Sequence, residues 1–244
     1  MYYMFLFSIL TMISSNVFAF DHSHGPWNTI LSEHVTFAGK QSLFNYVELK
    51  NDTKTLDKYL ESLSAVSVSD FSKFNQSQQL AFLINAYNAF TVKLIIKHYP
   101  VESIKDIGSF FTSPWKKKFF KLLGQKQHLD EIEHGIIREK YKEPRIHFAV
   151  NCASIGCPSL YPKAFIATKL NEQLDEAASH FINNEKKNIL VNKKLYLSKI
   201  FKWYGSDFGD RKKMLSYIGK VMGRDLSKTS IRYKDYDWKL NEAK

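Results

Sequence analysis

Cysteine is scarce in this chain, and its scarcity argues against two classes of protein. Only two of the 244 residues are cysteine, which fits neither a disulfide-rich scaffold nor a multi-cysteine zinc module. Prolines are few, and no linker, repeat or low-complexity block divides residues 27–244. A composition of 44% hydrophobic and 24% charged residues is typical of a globular protein rather than a disordered or multi-span membrane protein. We therefore predict one globular domain over residues 20–244.

Charged side chains are absent from the first twenty residues, Met1 to Phe20. An apolar run from Phe5 to Ile13 precedes Val17-Phe18-Ala19, which has small residues at its first and third positions. This pattern is typical of a secretory signal peptide. We predict a signal peptide over residues 1–19, cleavage after Ala19, and a protein exported to the periplasm or the medium. The alternative is an uncleaved N-terminal anchor.

The chain carries a formal net charge of +11, from 35 Lys and Arg against 24 Asp and Glu. Outside the cytoplasm, nucleic acid is a poor candidate partner for such a protein. Anionic lipid headgroups and acidic envelope polymers are better candidates. We expect a small or polymeric envelope ligand, for which an acidic one is the candidate, and consider peripheral membrane contact. The basic residues lie in short dispersed runs, which are typical of solvated faces.

Cleavage after Ala19 would leave a mature end that begins Phe20-Asp21-His22. A free amine, two amide nitrogens and the third-position imidazole can surround Cu(II) or Ni(II) in the square plane that those ions favour. The alternative is that the histidine lies in an ordinary exposed tail.

The hydrophobic pattern predicts a mainly helical α+β domain with short β-hairpins. One central strand is expected to lead into a turn at Cys152. We predict helices over 55–66, 77–99, 130–141, 170–182 and 210–222, hairpins within 119–129 and 189–197, and a terminal strand over 236–240.

The helix over 77–99 has almost no polar face, which indicates a buried helix. Asn85 and Asn88 lie inside it, one turn apart. Buried amides need hydrogen-bonding partners. These asparagines either satisfy neighbouring loops or line a polar site in the centre of the fold.

Residues 145–151 alternate in the manner of a strand. Ile146, Phe148 and Val150 would face the core, while Arg145, His147 and Asn151 would share the other face. A sharp turn is expected after this segment, because Gly156 permits unusual backbone angles and Pro158 ends regular pairing.

Several separated motifs of this chain resemble the domain of unknown function 547 family. They are Ile84-Asn85-Ala86-Tyr87-Asn88-Ala89, Glu131-Ile132-Glu133-His134, residues Arg145 to Ser154, Gly156-Cys157-Pro158, and Trp203-Tyr204 with Asp207-Phe208-Gly209. The resemblance covers roughly residues 70–210. It implies that the asparagine pair, the Glu-His pair, the His147 position and both cysteines are family hallmarks, and it implies no particular activity.

Cys152 and Cys157 admit three interpretations. An exported protein meets an oxidising environment, and a separation of five residues across a turn permits a structural disulfide. Alternatively, Cys152 is a catalytic thiolate served by a histidine base, as in cysteine hydrolases and acyltransferases. In the third interpretation both cysteines are small buried hydrophobic residues.

Two histidines could act as the base of such a thiol. His147 would lie far from Cys152 along a straight strand, whereas His134 could reach it by tertiary packing. Glu133 could orient the imidazole, or it could belong to a capping box with Asp130 at the helix start.

We therefore predict a polar pocket and two alternative functions for it. In the first, the protein is a thiol-dependent hydrolase or acyltransferase, with Cys152, His134, His147 and Glu133 as catalytic residues and Asn85, Asn88, Arg145 and Asn151 as substrate-binding residues. In the second, it is a non-enzymatic cell-envelope binding module with a Cys152–Cys157 disulfide, in which Arg145 and lysines hold an acidic ligand. No cofactor is expected, and no metal, because the spacing of the histidines and cysteines matches no standard zinc module.

Overall fold

The computed structural model describes residues 19–109 and 112–243. The predicted signal peptide therefore lies outside the described residues, apart from Ala19. The fold class is confirmed, because helices dominate and the sheets are small. The α-helices are α1 (Gly25–His34), α2 (Tyr46–Asn51), α3 (Lys54–Ala65), α4 (Val68–Lys73), α5 (Gln76–His98), α6 (Glu139–Tyr141), α7 (Leu170–Ile182), α8 (Ile200–Trp203) and α9 (Arg211–Met222).

The strands form three small sheets, and both predicted hairpins are confirmed. The strands are β1 (Val35–Ala38), β2 (Gln41–Phe44), β3 (Phe120–Leu122), β4 (Gln125–Gln127), β5 (Ile189–Val191), β6 (Lys194–Leu197) and β7 (Ser230–Tyr233). Strands β1–β2, β3–β4 and β5–β6 pair antiparallel, and β7 joins β6 in parallel.

Helix α5 forms the centre of the larger hydrophobic core. Asn75 and Gln78 make a capping box at its N-terminus, with reciprocal side-chain and backbone bonds. Among the described residues, α5 is the one helix whose length and composition would allow it to cross a membrane, yet 89% of that window is buried inside the fold. The helix therefore has the burial of a core helix.

A second hydrophobic cluster packs around α7 and α9. It is rich in aromatic rings, and Phe148 lies 5.3–5.8 Å, centroid to centroid, from Phe181, Phe201 and Phe208. Ile146, two residues earlier, belongs to the larger core instead. The segment that contains both residues thus joins the two clusters.

The predicted strand over 145–151 is wrong. Pro144–Phe148 forms a 3₁₀-helix, in which the Ala149 amide donates to the carbonyl of Ile146. Pro144 occupies the first turn, where its fixed φ suits a helix and its missing N–H is not needed. A 3₁₀-helix has about three residues per turn, so its side chains do not alternate between two faces. Arg145 and His147 therefore do not share a face, and Asn151 lies beyond the end of the helix.

The helix predicted over 130–141 exists, but most of it is wider than an α-helix. Glu131–Arg138 is a π-helix that continues into α6. Asp130 has helical backbone angles and makes no side-chain cap, so the capping box predicted for Asp130 and Glu133 is wrong. Glu133 is buried instead.

The predicted terminal strand over 236–240 is also wrong, because regular pairing ends with β7 at Tyr233. The following segment runs along the Cys152 turn. The amides of Ile155 and Gly156 donate to the carbonyls of Lys239 and Asp237, at 2.8 and 2.7 Å. The last part of the chain thus holds the turn through backbone hydrogen bonds.

The predicted mature end packs on the domain. The Phe20 ring lies 5.1 Å from that of Phe82, and the His22 ring lies 4.3 Å from that of Phe74. His24 is buried and hydrogen-bonds Tyr59 at 2.7 Å. Square-planar binding of copper or nickel would require this packed segment to leave the surface of the domain.

Candidate functional site

A cavity of about 260 Å³ lies where α5, the π-helix, the 3₁₀-helix, α8 and the C-terminal segment meet. We call it the aromatic pocket, because rings make up much of its wall. It contains five of the residues predicted from the sequence, namely Glu133, His134, His147, Cys152 and Cys157. Its other lining residues are Tyr87, Trp115, Asp130, Val150, Pro158, Ile200, Trp203, Tyr204, Tyr236 and Trp238.

His147 is the central polar group of the pocket, and its side chain is fully buried. Its Nε2 lies 2.7 Å from Oδ2 of Asp207, and the Tyr204 ring stacks on the imidazole at 4.0 Å. Burial lowers the pKa of His147 to about 4, so the ring is neutral at pH 7. Its Nδ1 is buried and has no hydrogen-bond partner.

Asp207 does not hold His147 in its doubly protonated form, because the charge of the carboxylate is shared with Arg138. Nε and Nη2 of Arg138 donate to the two oxygens of Asp207, at 2.6 and 2.7 Å. These bonds, together with the contact from His147, lower the pKa of Asp207 to about 2. Since the carboxylate is ionised, the nitrogen that faces it must carry the hydrogen. His147 is therefore the Nε2–H tautomer, and Nδ1 presents a lone pair.

Glu133 lies beside that lone pair, with 3.9 Å between its Oε1 and Nδ1 of His147. This distance is too long for a direct hydrogen bond. Burial raises the pKa of Glu133, and the neighbouring Tyr204 and Tyr87 hydroxyls counteract that shift in part. The deep end of the pocket thus holds a carboxyl group and an imidazole acceptor that do not bond to each other.

His134 and Asp130 are partly exposed and lie nearer the solvent. Nδ1 of His134 accepts from Nη1 of Arg138 at 2.8 Å, and its Nε2 lies 3.5 Å from Oδ1 of Asp130. The π-helix places Asp130, Glu133 and His134 along the same cavity. Short π-helical segments within helices occur frequently at functional sites.

Cys152 and Cys157 form a disulfide, with 6.0 Å between their Cα atoms. The bond lies in the wall of the pocket, and the Tyr236 hydroxyl is 3.2 Å from Sγ of Cys152. In this state Cys152 cannot act as a nucleophile, because its Sγ is bonded to Cys157 and is not a thiolate. The left-handed residue of the turn is Ala153, with φ of 58°, and not Gly156 as the sequence predicted.

Gly156 has a different role from the predicted one. A Cβ at this position would lie 2.7 Å from the Tyr236 ring and 2.8 Å from the carbonyl oxygen of Asp237. The absence of a side chain therefore allows the C-terminal segment to approach the turn closely.

The asparagines support the walls of the pocket without lining it. Asn85 exchanges two hydrogen bonds with the backbone of Phe165, at 2.7 and 3.0 Å. Asn88 donates to the Ala149 carbonyl at 2.9 Å and accepts from the Asn151 amide at 2.8 Å. These bonds agree with the hypothesis that the asparagines satisfy neighbouring loops.

Asn151 and Arg145, two further predicted binding residues, also do not line the aromatic pocket. The Asn151 side chain donates to the Pro158 carbonyl at 2.7 Å. Arg145 pairs with Glu143 at 2.6 Å and with Asp175 at 2.7 Å. Its charge is therefore already neutralised within the domain.

Four rings form the outer wall of the pocket. Trp203 lies 4.9 Å from Tyr236 and 5.9 Å from Trp238, and Trp115 lies 5.7 Å from Trp238. Trp203 is 43% exposed. The Lys105 ammonium lies 4.1 Å from the ring centroid of Trp238, so one of these rings already carries a cation–π contact.

Sequence reasoning missed Arg138, the buried Tyr87 and Asp207 as residues of the site. Asp207 lies in a 3₁₀-helix over Gly205–Phe208, and Asp210 caps α9. The available signal was the motif around Trp203 to Gly209, which contains Tyr204 and Asp207. Among the described residues, no group of three or more His, Cys, Asp or Glu is placed to hold a metal ion.

The fold and its pocket define a class, namely a mainly helical α+β domain with an aromatic cavity beside a short disulfide loop. Residues 71–182 match the model of the family described as "Protein of unknown function, DUF547", so this segment of the chain is similar to that family. The match confirms the resemblance seen in the motifs. It includes the π-helix and the disulfide loop, and it ends before Trp203. Searches of curated proteins and of solved structures found no match to the chain.

Proposed function

We propose that this protein is an exported, non-enzymatic binding module of the cell envelope and that the aromatic pocket is its ligand site. One observation carries the proposal: a cavity of about 260 Å³ is walled by tryptophan and tyrosine rings and contains few polar groups. Concave, mainly apolar sites with a small number of convergent polar groups are typical of small-molecule binding.

The disulfide supports a binding role rather than a thiol-dependent one. With Sγ of Cys152 bonded to Cys157, the loop is a rigid part of the pocket wall. Lys187 adds to this rigidity, because its buried ammonium group donates to the carbonyls of Ile155 and Cys157. Pre-organised walls reduce the entropy that is lost when a ligand binds.

A binding experiment on envelope material tests the proposal. Oxidised mature protein is incubated with purified peptidoglycan and, separately, with vesicles that contain anionic lipid, and retention is measured by sedimentation. Trp203→Ala removes an exposed wall of the pocket and should lower retention on the material that carries the ligand. Phe37→Ala is the matched control, because Phe37 is 48% exposed and lies outside the aromatic pocket.

If Trp203→Ala and the unmodified protein are retained equally, the aromatic pocket takes no part in binding. If both variants and the unmodified protein fail to bind either material, the proposal of an envelope binding module is wrong.

A thiol-dependent hydrolase or acyltransferase is the second candidate, and a different observation favours it. Asp207 orients His147, and His147 lines the same cavity as Cys152. This arrangement of carboxylate, imidazole and sulfur has the components of a nucleophile–base site. A dithiol would first have to reduce the disulfide.

Two single substitutions separate the candidates without any reductant. Cys157→Ala leaves Cys152 as a free thiol in the same cavity as the imidazole, and Cys152→Ala leaves only Cys157. The enzyme hypothesis expects Cys157→Ala to hydrolyse an activated ester such as 4-nitrophenyl acetate, and Cys152→Ala to be inactive. Equal, background-level hydrolysis by both variants would contradict it.

A further inference from the structure

We propose that the aromatic pocket recognises the protonated primary amino group of its ligand. The inference rests on the proposed binding function and adds the chemical class of the ligand. It depends on the kinds of polar atom at the deep end of the pocket, on their separation, and on the charges along its lining.

The polar atoms at the deep end can accept hydrogen bonds. Nδ1 of His147 has a lone pair, because Asp207 holds the hydrogen on Nε2. This nitrogen is fully buried and has no partner, although buried polar atoms are nearly always hydrogen-bonded. A ligand that donates an N–H to it would supply the missing bond.

The separation of the acceptors suits a donor with two hydrogens. Oε1 of Glu133 and Nδ1 of His147 are 3.9 Å apart. A nitrogen atom at about 2.8 Å from each of them, the usual length of a charge-assisted bond, would have both acceptors on one side. An ammonium group can donate to both and still keep its third hydrogen for Tyr87 or Tyr204, which line the same cavity.

The acidic side chains of the lining favour a cation. Asp130 and Glu133 are acidic, and no lysine or arginine lines this cavity in the described part of the chain. Burial favours the neutral form of Glu133, and an ammonium group bound beside it would favour the ionised form. The contrast with the net charge of +11 for the whole chain is marked. Tryptophan and tyrosine faces attract ammonium groups as well, as the Lys105 ammonium over Trp238 illustrates.

Three probes of equal chain length separate charge, hydrogen-bond donation and apolar contact. They are pentylammonium, pentyltrimethylammonium and 1-pentanol, titrated into the oxidised protein at pH 7 with tryptophan fluorescence and ligand-observed NMR as readouts. Pentylammonium should bind at least about tenfold more tightly than 1-pentanol, because a hydrogen bond with a charged partner is worth that much or more. It should also bind more tightly than pentyltrimethylammonium, which has no N–H to donate.

Substitutions in the pocket test whether the preference for pentylammonium over 1-pentanol arises at its deep end. Glu133→Gln should lower the affinity for pentylammonium by about tenfold and leave 1-pentanol unaffected. Asp130→Asn should lower it less, because Asp130 is partly exposed, and it provides a variant that folds if Glu133→Gln does not. Asp175→Asn is the matched control, since this acidic residue pairs with Arg145 outside the pocket.

Each alternative result has a separate meaning. Equal binding of pentylammonium and 1-pentanol would overturn the inference and leave an apolar pocket. Tighter binding of pentyltrimethylammonium would overturn the role of the Nδ1 acceptor. If none of the three probes binds, the inference fails together with the ligand site of the proposed function.

Discussion

Nε2 of His147 lies 2.7 Å from Oδ2 of Asp207, and this contact determines which imidazole nitrogen is free. Asp207 is held at both oxygens by Arg138. The carboxylate therefore stays ionised and accepts the Nε2 hydrogen, while Nδ1 faces Glu133 without a partner. Both proposed functions use this free nitrogen, as an acceptor for a ligand or as a base for a thiol.

The burial of His147 predicts a pH dependence of stability. Its pKa is about 4 in the folded protein, against an ordinary value of 6.5, so the unfolded chain binds more protons between these values. The contribution of His147 to the free energy of unfolding should therefore be fully present above pH 6.5. It should be lost as the pH falls toward 4, which lowers the free energy of unfolding by on the order of 1–3 kcal/mol. Denaturant unfolding as a function of pH measures this decrease.

A His147→Gln variant provides the control for that measurement. The groups that face the imidazole are Asp207, Arg138, Glu133, His134 and Tyr204. His24 has a pKa of about 4 for the same reason, its burial, and contributes with the same sign in both proteins. The variant should thus show a smaller slope between pH 6.5 and 4, and an unchanged slope would contradict the assignment to His147.

The disulfide predicts that the purified protein has no titratable thiol until it is reduced. By chain entropy, a loop with a sequence separation of 5 stabilises the fold by about 2 kcal/mol. The double variant Cys152→Ala/Cys157→Ala should lose about that amount in denaturant unfolding and should become insensitive to reductant. Two free thiols in the untreated protein would contradict the disulfide.

Asn88 predicts a large stability effect from one buried side chain. Its removal in Asn88→Ala leaves the Ala149 carbonyl and the Asn151 amide without their bonds, at a cost of about 2–5 kcal/mol. Asn51→Ala, an exposed change at the end of α2, is the matched control and should cost less than about 0.5 kcal/mol. Thermal and denaturant unfolding compare the two variants, and similar losses would refute the bridging role.

The close packing around Gly156 predicts that one added methyl group disturbs the wall of the aromatic pocket. In Gly156→Ala the new Cβ would meet the Tyr236 ring and the Asp237 carbonyl, so the C-terminal segment must move away from the disulfide loop. The expected result is a lower melting temperature together with an altered tryptophan emission, because Tyr236 packs on Trp203 and Trp238. Gly25→Ala should change neither, since its Cβ would make only ordinary contacts.

The predicted export signal gives a direct mass test. Protein that is expressed with its own leader and recovered from outside the cytoplasm should begin at Phe20, as measured by intact mass. Phe20→Ala should then destabilise the mature protein by about 1–2 kcal/mol, because this ring packs against Phe74 and Phe82. A recovered chain that retains residues 1–19 would support the uncleaved anchor instead.

Local pattern was sufficient to predict the helices α3, α5, α7 and α9. The near-continuous apolar run of α5, its capping box at Asn75 and Gln78, and the cap of α9 at Asp210 are encoded within a few residues of each other. The hairpins at 119–129 and 189–197 have the same property. In each case the stabilising partners lie nearby along the chain.

The strand predicted over 145–151 shows where that reasoning fails. Alternation of polar and apolar residues also fits a 3₁₀ turn that passes between two hydrophobic clusters, with Ile146 in one and Phe148 in the other. Periodicity over seven residues does not distinguish these cases. The argument that separated His147 from Cys152 depended on that strand, and in the structure both residues line one cavity.

The sequence by itself determined the helical character of the domain, the buried asparagine pair and the family motifs, because these depend on residue type and short spacing. Only the tertiary structure decided which of those residues meet. Asp207 reaches His147 across 60 positions of the chain, and Tyr236 reaches Cys152 across 84. Contacts at such separations are made by the packing of whole elements, which no local pattern specifies.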